Sequence, residues 1–358
     1  MTADASTTAH EWAVPGVYPV APGVHRIPLP LPTDGLRAVN VYAMEDDGGL
    51  VLIDSGWALE AAREALIKAL ATLGAGLGDV RSFLVTHVHR DHYTMAVQLR
   101  REFGGTVSLG LGERHTIAAL TDATAQPFGP QLAELRASGA NALIRQLGDT
   151  ARALPGGAGD WAEPDRWLTP HQEIAIAART LTVVPTPGHT QGHVVFRDAA
   201  AGVLFAGDHV LPHITPSIGF EAVPSPHPLQ DFLQSLRLVR SLPDMRLLPA
   251  HGPVGPSTHA RIDELLDHHD DRLNRCLAAV RAGAATAYEA ARALRWTRRE
   301  RLLDELDPFN QMLAVIETRA HLELLAAQGR LAGSVQDGGT VIYEVPPATE
   351  GTAGPPAP

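Results

Sequence analysis

Apolar positions alternate with polar ones through the first part of the chain. Residues 24–31, 38–44 and 50–54 read as strands, and Asp46-Asp47-Gly48-Gly49 reads as the hairpin turn between the last two. Over 59–73 apolar residues fall three and four apart, which predicts an amphipathic helix. A buried strand follows at 81–86, then a helix at 93–103 closed by Gly104-Gly105, then a short strand at 106–109. The stretch 113–147 is helical in pattern and broken at Pro127 and Pro130; 154–170 is a loop rich in Gly, Pro and Trp. Strands resume at 173–177, 181–185, 193–198 and 203–206, followed by a helix at 228–241 and a strand at 246–249.

After 258 the pattern is helical, at 259–282, 286–294, 297–306 and 308–328. It ends at 331–345 in two strand-like runs around Asp337-Gly338-Gly339. Three helices and a hairpin outline a winged-helix-like subdomain. The class is α+β, with a first domain at 15–258, a helical second one at 259–345, a disordered tail at 346–358 and a loose polar arm at 1–14.

Composition narrows the function. With 45% hydrophobic residues in 358, the chain can bury the cores of about two domains. No apolar run reaches the about 18 residues of a membrane span, and the N-terminus has no signal-like region, so a cytoplasmic protein with no membrane partner is expected. The single cysteine, Cys276, excludes an internal disulfide framework and a cysteine-rich zinc module; it reads as a buried structural thiol. A net charge of −11 disfavours a nucleic-acid partner. Within 259–345, 11 Arg stand against 14 acidic residues, and the basic run at 292–301 is interleaved with carboxylates. A homo-oligomer is left open.

The 17 histidines are many for this length, and several stand where chemistry is done. Thr86-His87-Val88-His89-Arg90-Asp91-His92 directly follows an apolar strand. Residues 87, 89 and 91 alternate, so an extended segment points them one way, with His92 at the turn into the next helix. Four potential ligands within six residues can converge on a small volume, and imidazole with carboxylate suits zinc, iron or manganese. Pro187-Gly188-His189-Thr190, Ala206-Gly207-Asp208 and Pro249-Ala250-His251-Gly252 each put a His or Asp beside a Gly at the end of a predicted strand.

Together these segments resemble the motifs of the metallo-β-lactamase superfamily: THVHRDH at 86–92, TPGHTQGH at 186–193, AGDH at 206–209 and PAHG at 249–252, with Asp54 matching the family's early aspartate. The resemblance covers about residues 20–258 and implies the family's αββα sandwich. The helical, hairpin-ended remainder resembles the β-lactamase-like 2 group with its winged-helix-like appendage. The resemblance implies two divalent metal ions, zinc first, with iron or manganese as alternatives. His87, His89 and His189 would hold one, Asp91, His92 and His251 the other, and Asp208 would bridge them. Asp54 and His193 would support ligands from behind, and Tyr93, His209 and His213 would line the substrate pocket. Tyr93-Thr94-Met95 departs from the small residue and glycines that many of the family's hydrolases carry there. His89 stands where the flavodiiron branch has Glu, which speaks against a redox role.

Such a site implies a hydrolase whose metal-bridging hydroxide attacks an acyl carbonyl, with Asp91 shuttling the proton. A small-molecule thioester, ester or lactone is the favoured substrate, with Met95, Phe128 and Trp161 joining Tyr93 as an apolar wall and 113–170 as a lid. A phosphodiesterase or endoribonuclease is the first alternative; it needs a basic track, and only Arg90, Arg100 and Arg101 stand near the tetrad. A non-enzymatic winged-helix regulator is the second, and the complete ligand set argues against it. His268-His269 reads as a solvated helix face.

Overall fold

The computed structural model describes residues 11–32, 35–122, 124, 128–150 and 158–347. Most of the arm expected at 1–14 and of the tail expected at 346–358 lies outside these. Of the arm, Glu11–Ala13 forms a 3-10 turn, and the Trp12 carbonyl accepts from Arg26. The chain divides into two compact units, Met1–Gln131 with Thr150–His269, and Leu132–Asp149 with Asp270–Pro358. The division is discontinuous in sequence, since 132–149 groups with the C-terminal residues.

The first unit holds two sheets. Seven strands follow one another in chain order in the first: β1 (Tyr18–Ala21), β2 (Val24–Pro30), β3 (Ala38–Asp46), β4 (Gly49–Ile53), β5 (Val80–Val85), β6 (Thr106–Gly110) and β7 (Arg166–Leu168). They pair antiparallel as far as β4 and parallel from there on. The second sheet has β8 (Glu173–Ile176), β9 (Arg179–Pro185), β10 (Val194–Asp198), β11 (Val203–Gly207) and β12 (Arg246–Pro249), in the order β12-β11-β10-β9-β8. Two strands went unread in the sequence. Pro19 interrupts the alternation of β1, which an edge strand tolerates, and β7 is three residues inside an irregular segment.

Side-chain alternation makes the layers. On β3, Val39, Val41 and Ala43 join a core with Ala62, Leu66 and Leu70 of α1 (Glu60–Thr72) and Met95, Ala96 and Leu99 of α2 (Arg90–Phe103). The intervening Tyr42 and Met44 face the other way, into a core with Val183, Phe196, Phe205 and Leu248 of the second sheet. The Tyr42 and Phe205 rings meet edge-on at 5.3 Å. Truncating a fully buried side chain such as Phe205 to Ala would cost about 3–5 kcal/mol. The segments that carry the motif residues therefore leave strand ends whose other side chains are fixed by these two cores. Three further helices belong to the chain's middle, α3 (Arg114–Thr121), α4 (Gly129–Ala137) and α5 (Asn141–Thr150). α6 (Pro228–Ser241) is tied to the loop after β9 by Ser235, whose hydroxyl donates to the Pro187 carbonyl.

α7 (Thr258–Arg281) carries His268 outward, as expected, but His269 is buried edge-on to Phe232 at 5.5 Å. In the second unit α8 (Ala287–Ala293) is opened by a Thr286–Glu289 capping box, and α9 (Pro308–Ala327) by Asp307 with Pro308 at its first position. The hairpin of β13 (Ala332–Val335) and β14 (Val341–Glu344) is the last element among the described residues. The helix expected at 297–306 is not formed. Thr297 and Glu300 adopt φ of 63° and 52°, Trp296 and Arg301 exchange two main-chain hydrogen bonds, and only Leu303–Glu305 makes a 3-10 turn. The Arg272 guanidinium lies 3.8 Å from the Trp296 ring centre and fixes this turn. Cys276 is buried, which pushes its thiol up to about 12. Among the described residues no helix is long and apolar enough to cross a membrane.

Candidate metal centre

β5 delivers the chain into Thr86, His87, Val88 and His89, and His89 caps α2. The helix starts three residues earlier than its apolar pattern suggests. Asp91 and His92 lie in its first turn, where the helix dipole favours a carboxylate, and not on an extended segment with His87 and His89. Residues 87 and 89 thus face one side and 91 and 92 the other.

Two half-sites result. His87 Nε2 lies 3.0 Å from His89 Nδ1, which lies 3.0 Å from His189 Nε2. With Asp208 these residues offer ligand atoms within 4.8 Å of one another. Asp91, His92 and His251 form the second group within the same limit. Asp208 faces both. Its Oδ2 is 3.5 Å from His189 Nε2, while its Oδ1 is 3.4 Å from His251 Nε2 and 3.7 Å from His92 Nε2. Asp91 Oδ2 lies 3.4 Å from His251 Nε2 and 3.6 Å from His92 Nε2.

The rear nitrogen of every histidine is engaged. His89 Nε2 donates to the Phe220 carbonyl, His189 Nδ1 to Ser217 and His251 Nδ1 to Ala38. His92 Nδ1 donates to Asp54 Oδ2 at 3.0 Å. The Thr86 hydroxyl donates to Asp54 and so accepts from His87 Nδ1. In the first half these partners leave lone pairs on His87 Nε2 and His189 Nε2 each facing that of His89 Nδ1 across 3.0 Å. In the second, His92 Nε2, His251 Nε2 and Asp208 Oδ1 are buried without a hydrogen-bond partner. Each such atom costs about 1–3 kcal/mol when left so. A cation held by each group would satisfy all of them, and a set of imidazoles and carboxylates fits a divalent one.

Electrostatics separates the halves. Burial pushes the His87 and His189 imidazoles down, and His89 down to about 3, so the first half presents neutral ligands. Burial also opposes charge on His92, but Asp91, Asp54 and Asp208 outweigh it and raise His92 to about 9. Asp208 and Asp91 likewise raise His251 against burial, and these imidazoles hold both carboxyls well below the usual carboxylate range. A cation held by Asp91, His92 and His251 would have to displace those protons.

A family model described as the metallo-beta-lactamase superfamily matches residues 34–251. The chain belongs to that superfamily. A "Probable metallo-hydrolase YqjP" from Bacillus subtilis is 25% identical over 329 residues, 89% of this chain and 96% of its own length. The atrochrysone carboxyl ACP thioesterase of Aspergillus fumigatus is 25% identical over 245 residues, 68% of this chain and 60% of that one. The crystal structure of a metallo-beta-lactamase family protein from Thermus thermophilus superposes with a TM-score of 0.76 at 29% identity, over 91% of this chain and 99% of that one. The chain is accordingly a metal-dependent hydrolase of the metallo-β-lactamase fold, and the two clusters are its candidate metal-binding residues.

Other residues singled out from the sequence fall in three places. Asp54 and His193 lie behind the ligands. Asp54 adopts φ of 58° and accepts from Thr86 N–H at 2.8 Å as well as from His92. The His193 ring stacks on His87 at 5.0 Å and its Nε2 accepts from Asp208 N–H. Tyr93 and His209, expected on the pocket wall, are fully buried instead. The Tyr93 hydroxyl donates to the Ala162 carbonyl and its ring stacks on Trp161, while His209 packs edge-on against Phe232. Neither side chain can touch a solute without moving the core. Met95 is likewise in the core. His213 is exposed, 3.9 Å from where a Cβ on Gly252, next to His251, would stand. Of the segment 113–170, Phe128 approaches the ligands through Phe220, whose ring lies 6.2 Å from Phe128 and 6.0 Å from His89. Sequence reasoning missed Thr86, Asn40 and Glu113. Asn40 donates to the carbonyls of Pro249 and Gly252 on either side of His251. A polar residue inside an apolar strand was the available signal for Asn40.

Proposed function

We propose that the chain is a dinuclear hydrolase acting on a small acyl substrate, a thioester before an ester or lactone, with zinc as the first choice of metal. The observation that carries the dinuclear reading is Asp208, one oxygen of which faces each half-site. His87, His89 and His189 would hold one ion, and Asp91, His92 and His251 the other. Two divalent ions there would supply an activated water at neutral pH and polarise the scissile carbonyl. The chain's own residues do the remaining work. Asp54, Thr86 and the three carbonyls orient the imidazoles. Asp91 is more exposed than Asp208, 16% against 9%, which supports assigning Asp91 the transfer of a proton to the leaving group.

An acyl substrate is favoured over RNA by what the nearby arginines do. Arg100 pairs with Asp165, Arg101 donates to the carbonyls of Gly159 and Trp161, and Arg90 lies over the Trp57 ring. The thioesterase among the relatives supports the same choice. We read the second unit as a winged-helix-like appendage without a nucleic-acid role, and the protein as cytoplasmic, in keeping with its lone buried thiol. The test runs one metal-loaded preparation against acyl thioesters, lactones and mixed-sequence single-stranded RNA, with Asp91→Ala as the blank. Turnover of an acyl substrate that disappears in Asp91→Ala is expected. RNA cleavage lost in Asp91→Ala, with every acyl substrate inert, would install the ribonuclease reading.

A further inference from the structure

Behind the three-histidine half lies a buried carboxyl that no step above uses. Glu113 sits in the 3-10 turn Leu111–Glu113 after β6 and is fully buried. Its Oε1 accepts from the Thr190 hydroxyl at 2.5 Å and from the Val88 N–H at 3.3 Å. Val88 stands between His87 and His89, and Thr190 directly follows His189. One carboxyl group therefore holds both loops whose imidazoles must share an ion.

The backbone is shaped to allow this. A Cβ on Gly110 would stand 2.0 Å from the Gly192 carbonyl oxygen, one on Gly112 2.6 Å from the Gln191 oxygen, and one on Gly192 2.1 Å from the Glu113 nitrogen. Three glycines thus let the 110–113 turn and the 190–192 loop touch main chain to main chain. Any other residue at these places would push the turn away and take the carboxyl out of reach of Thr190. A fourth contact continues the arrangement. Glu221, also buried, accepts from Gln191 N–H at 2.9 Å, and it follows Phe220, whose carbonyl orients His89.

We propose that Glu113 is a positioning residue for the three-histidine half-site, fastening the His87–His89 loop to the His189 loop so that His89 Nδ1 keeps its 3.0 Å distance to both His87 Nε2 and His189 Nε2. The inference rests on the dinuclear reading for its consequence and on the hydrogen bonds above for its geometry. Burial lifts the Glu113 carboxyl to about 7, and one of its oxygens, Oε2, is buried without a partner, a cost the fold carries at this position. A group kept under those terms acts through shape and hydrogen bonding, so glutamine, which retains an acceptor oxygen, should substitute for it.

Three variants test this, Glu113→Ala, Glu113→Gln and Thr190→Val, each in the full chain. The first readout is zinc release to a chelator. The phase of the three-histidine half is identified as the one missing in His189→Ala, and that of the other half as the one missing in His251→Ala. Glu113→Ala is expected to weaken the first phase by about tenfold or more and leave the second within about threefold, on the scale seen when supports of ligands are lost. Glu113→Gln should stay close to the wild type. Thr190→Val leaves the carboxyl in place and shifts the same phase in the same direction, which covers the case of Glu113→Ala failing to fold. The second readout needs no metal: amide exchange should quicken in Glu113→Ala around 87–89 and 189–191 and stay unchanged in the helices. Should the wild type take up no metal, the dinuclear reading falls and exchange alone decides the brace. Unchanged exchange in both segments, or equal weakening of both zinc phases, overturns the proposal.

Discussion

Asp54→Asn is the most discriminating perturbation of the site, because it changes one atom and no shape. Asparagine tolerates the left-handed backbone at φ 58°, so the substitution adds little strain there. Asp54 Oδ1 accepts from Thr86 N–H at 2.8 Å, and Oδ2 accepts from His92 Nδ1 at 3.0 Å. An amide can serve only one of these. With its oxygen toward Thr86, its NH2 faces His92 Nδ1, which must give up its hydrogen and carry it on Nε2. That is the atom aimed at Asp91 and Asp208, 3.6 and 3.7 Å away, and a hydrogen there removes the lone pair a cation needs. Flipped, the NH2 opposes Thr86 N–H, and a buried main-chain donor is left unpaired at about 1–3 kcal/mol. The expected outcome is a loss of about 10- to 100-fold in zinc affinity at the second half-site only, or about 1.4–2.7 kcal/mol. Chelator competition on wild type and variant measures it, with the His189-dependent phase as internal control. Zinc affinity within about threefold of the wild type in both phases would show that Asp54 does not fix the His92 tautomer.

The remaining predictions concern the bridge, the proton carrier, the core and the buried carboxyl. Asp208→Ala should bring zinc content down from about two per chain to one or fewer, and His209→Ala should leave it near two; elemental analysis showing the reverse would move the bridge elsewhere. Asp91→Asn should lower kcat by about 10²- to 10⁴-fold while the three-histidine half keeps its ion, the range expected for a lost proton-transfer group. Tyr93→Phe should cost about 1 kcal/mol in a thermal or urea melt and leave KM within about twofold, since its hydroxyl serves the Ala162 carbonyl. The Glu113 carboxyl is raised from 4.5 to about 7 in the fold, so its contribution to stability is complete below about pH 4.5 and is lost as pH rises through about 7. Melting the wild type and Glu113→Gln from pH 4.5 to 8 should show the wild type losing about 3 kcal/mol more than the variant, and parallel curves would place the titration on another group.

The candidate ligand residues stood out in the sequence, and much of what holds them did not. An ion accepts only a few side-chain types, so His and Asp at the ends of apolar strands stand out against their surroundings. Burial gives no such mark. Tyr93 and His209 adjoin ligands in the chain, and adjacency reads equally well as pocket wall or as core; only the packing of Trp161 on one and Phe232 against the other decides. Helix starts are obscured in the same way, because His89 makes no side-chain cap and none of Arg90, Asp91 and His92 is apolar enough to extend the pattern. The turn at 297–306 depended on two residues adopting positive φ beneath Arg272 and Trp296, a tertiary outcome without local signature.

The deepest reason lies in the supports themselves. Ala38, Ser217 and Phe220 orient His251, His189 and His89 through their carbonyls, and a carbonyl has no letter in the sequence. Through their rear nitrogens only His87 and His92 are backed by side chains, Thr86 and Asp54, and of these two the motifs pointed to Asp54. This division has a physical consequence. Substitutions at 38, 217 or 220 leave the orienting carbonyl in place as long as the backbone stays put, whereas substitutions at 54 or 86 act on ligand basicity directly. Tuning of the site by single side-chain changes is therefore concentrated on the His87 and His92 face, which spans both half-sites. On the His89 and His189 face it must pass through backbone position, which is the quantity that Glu113 and the three glycines around it control.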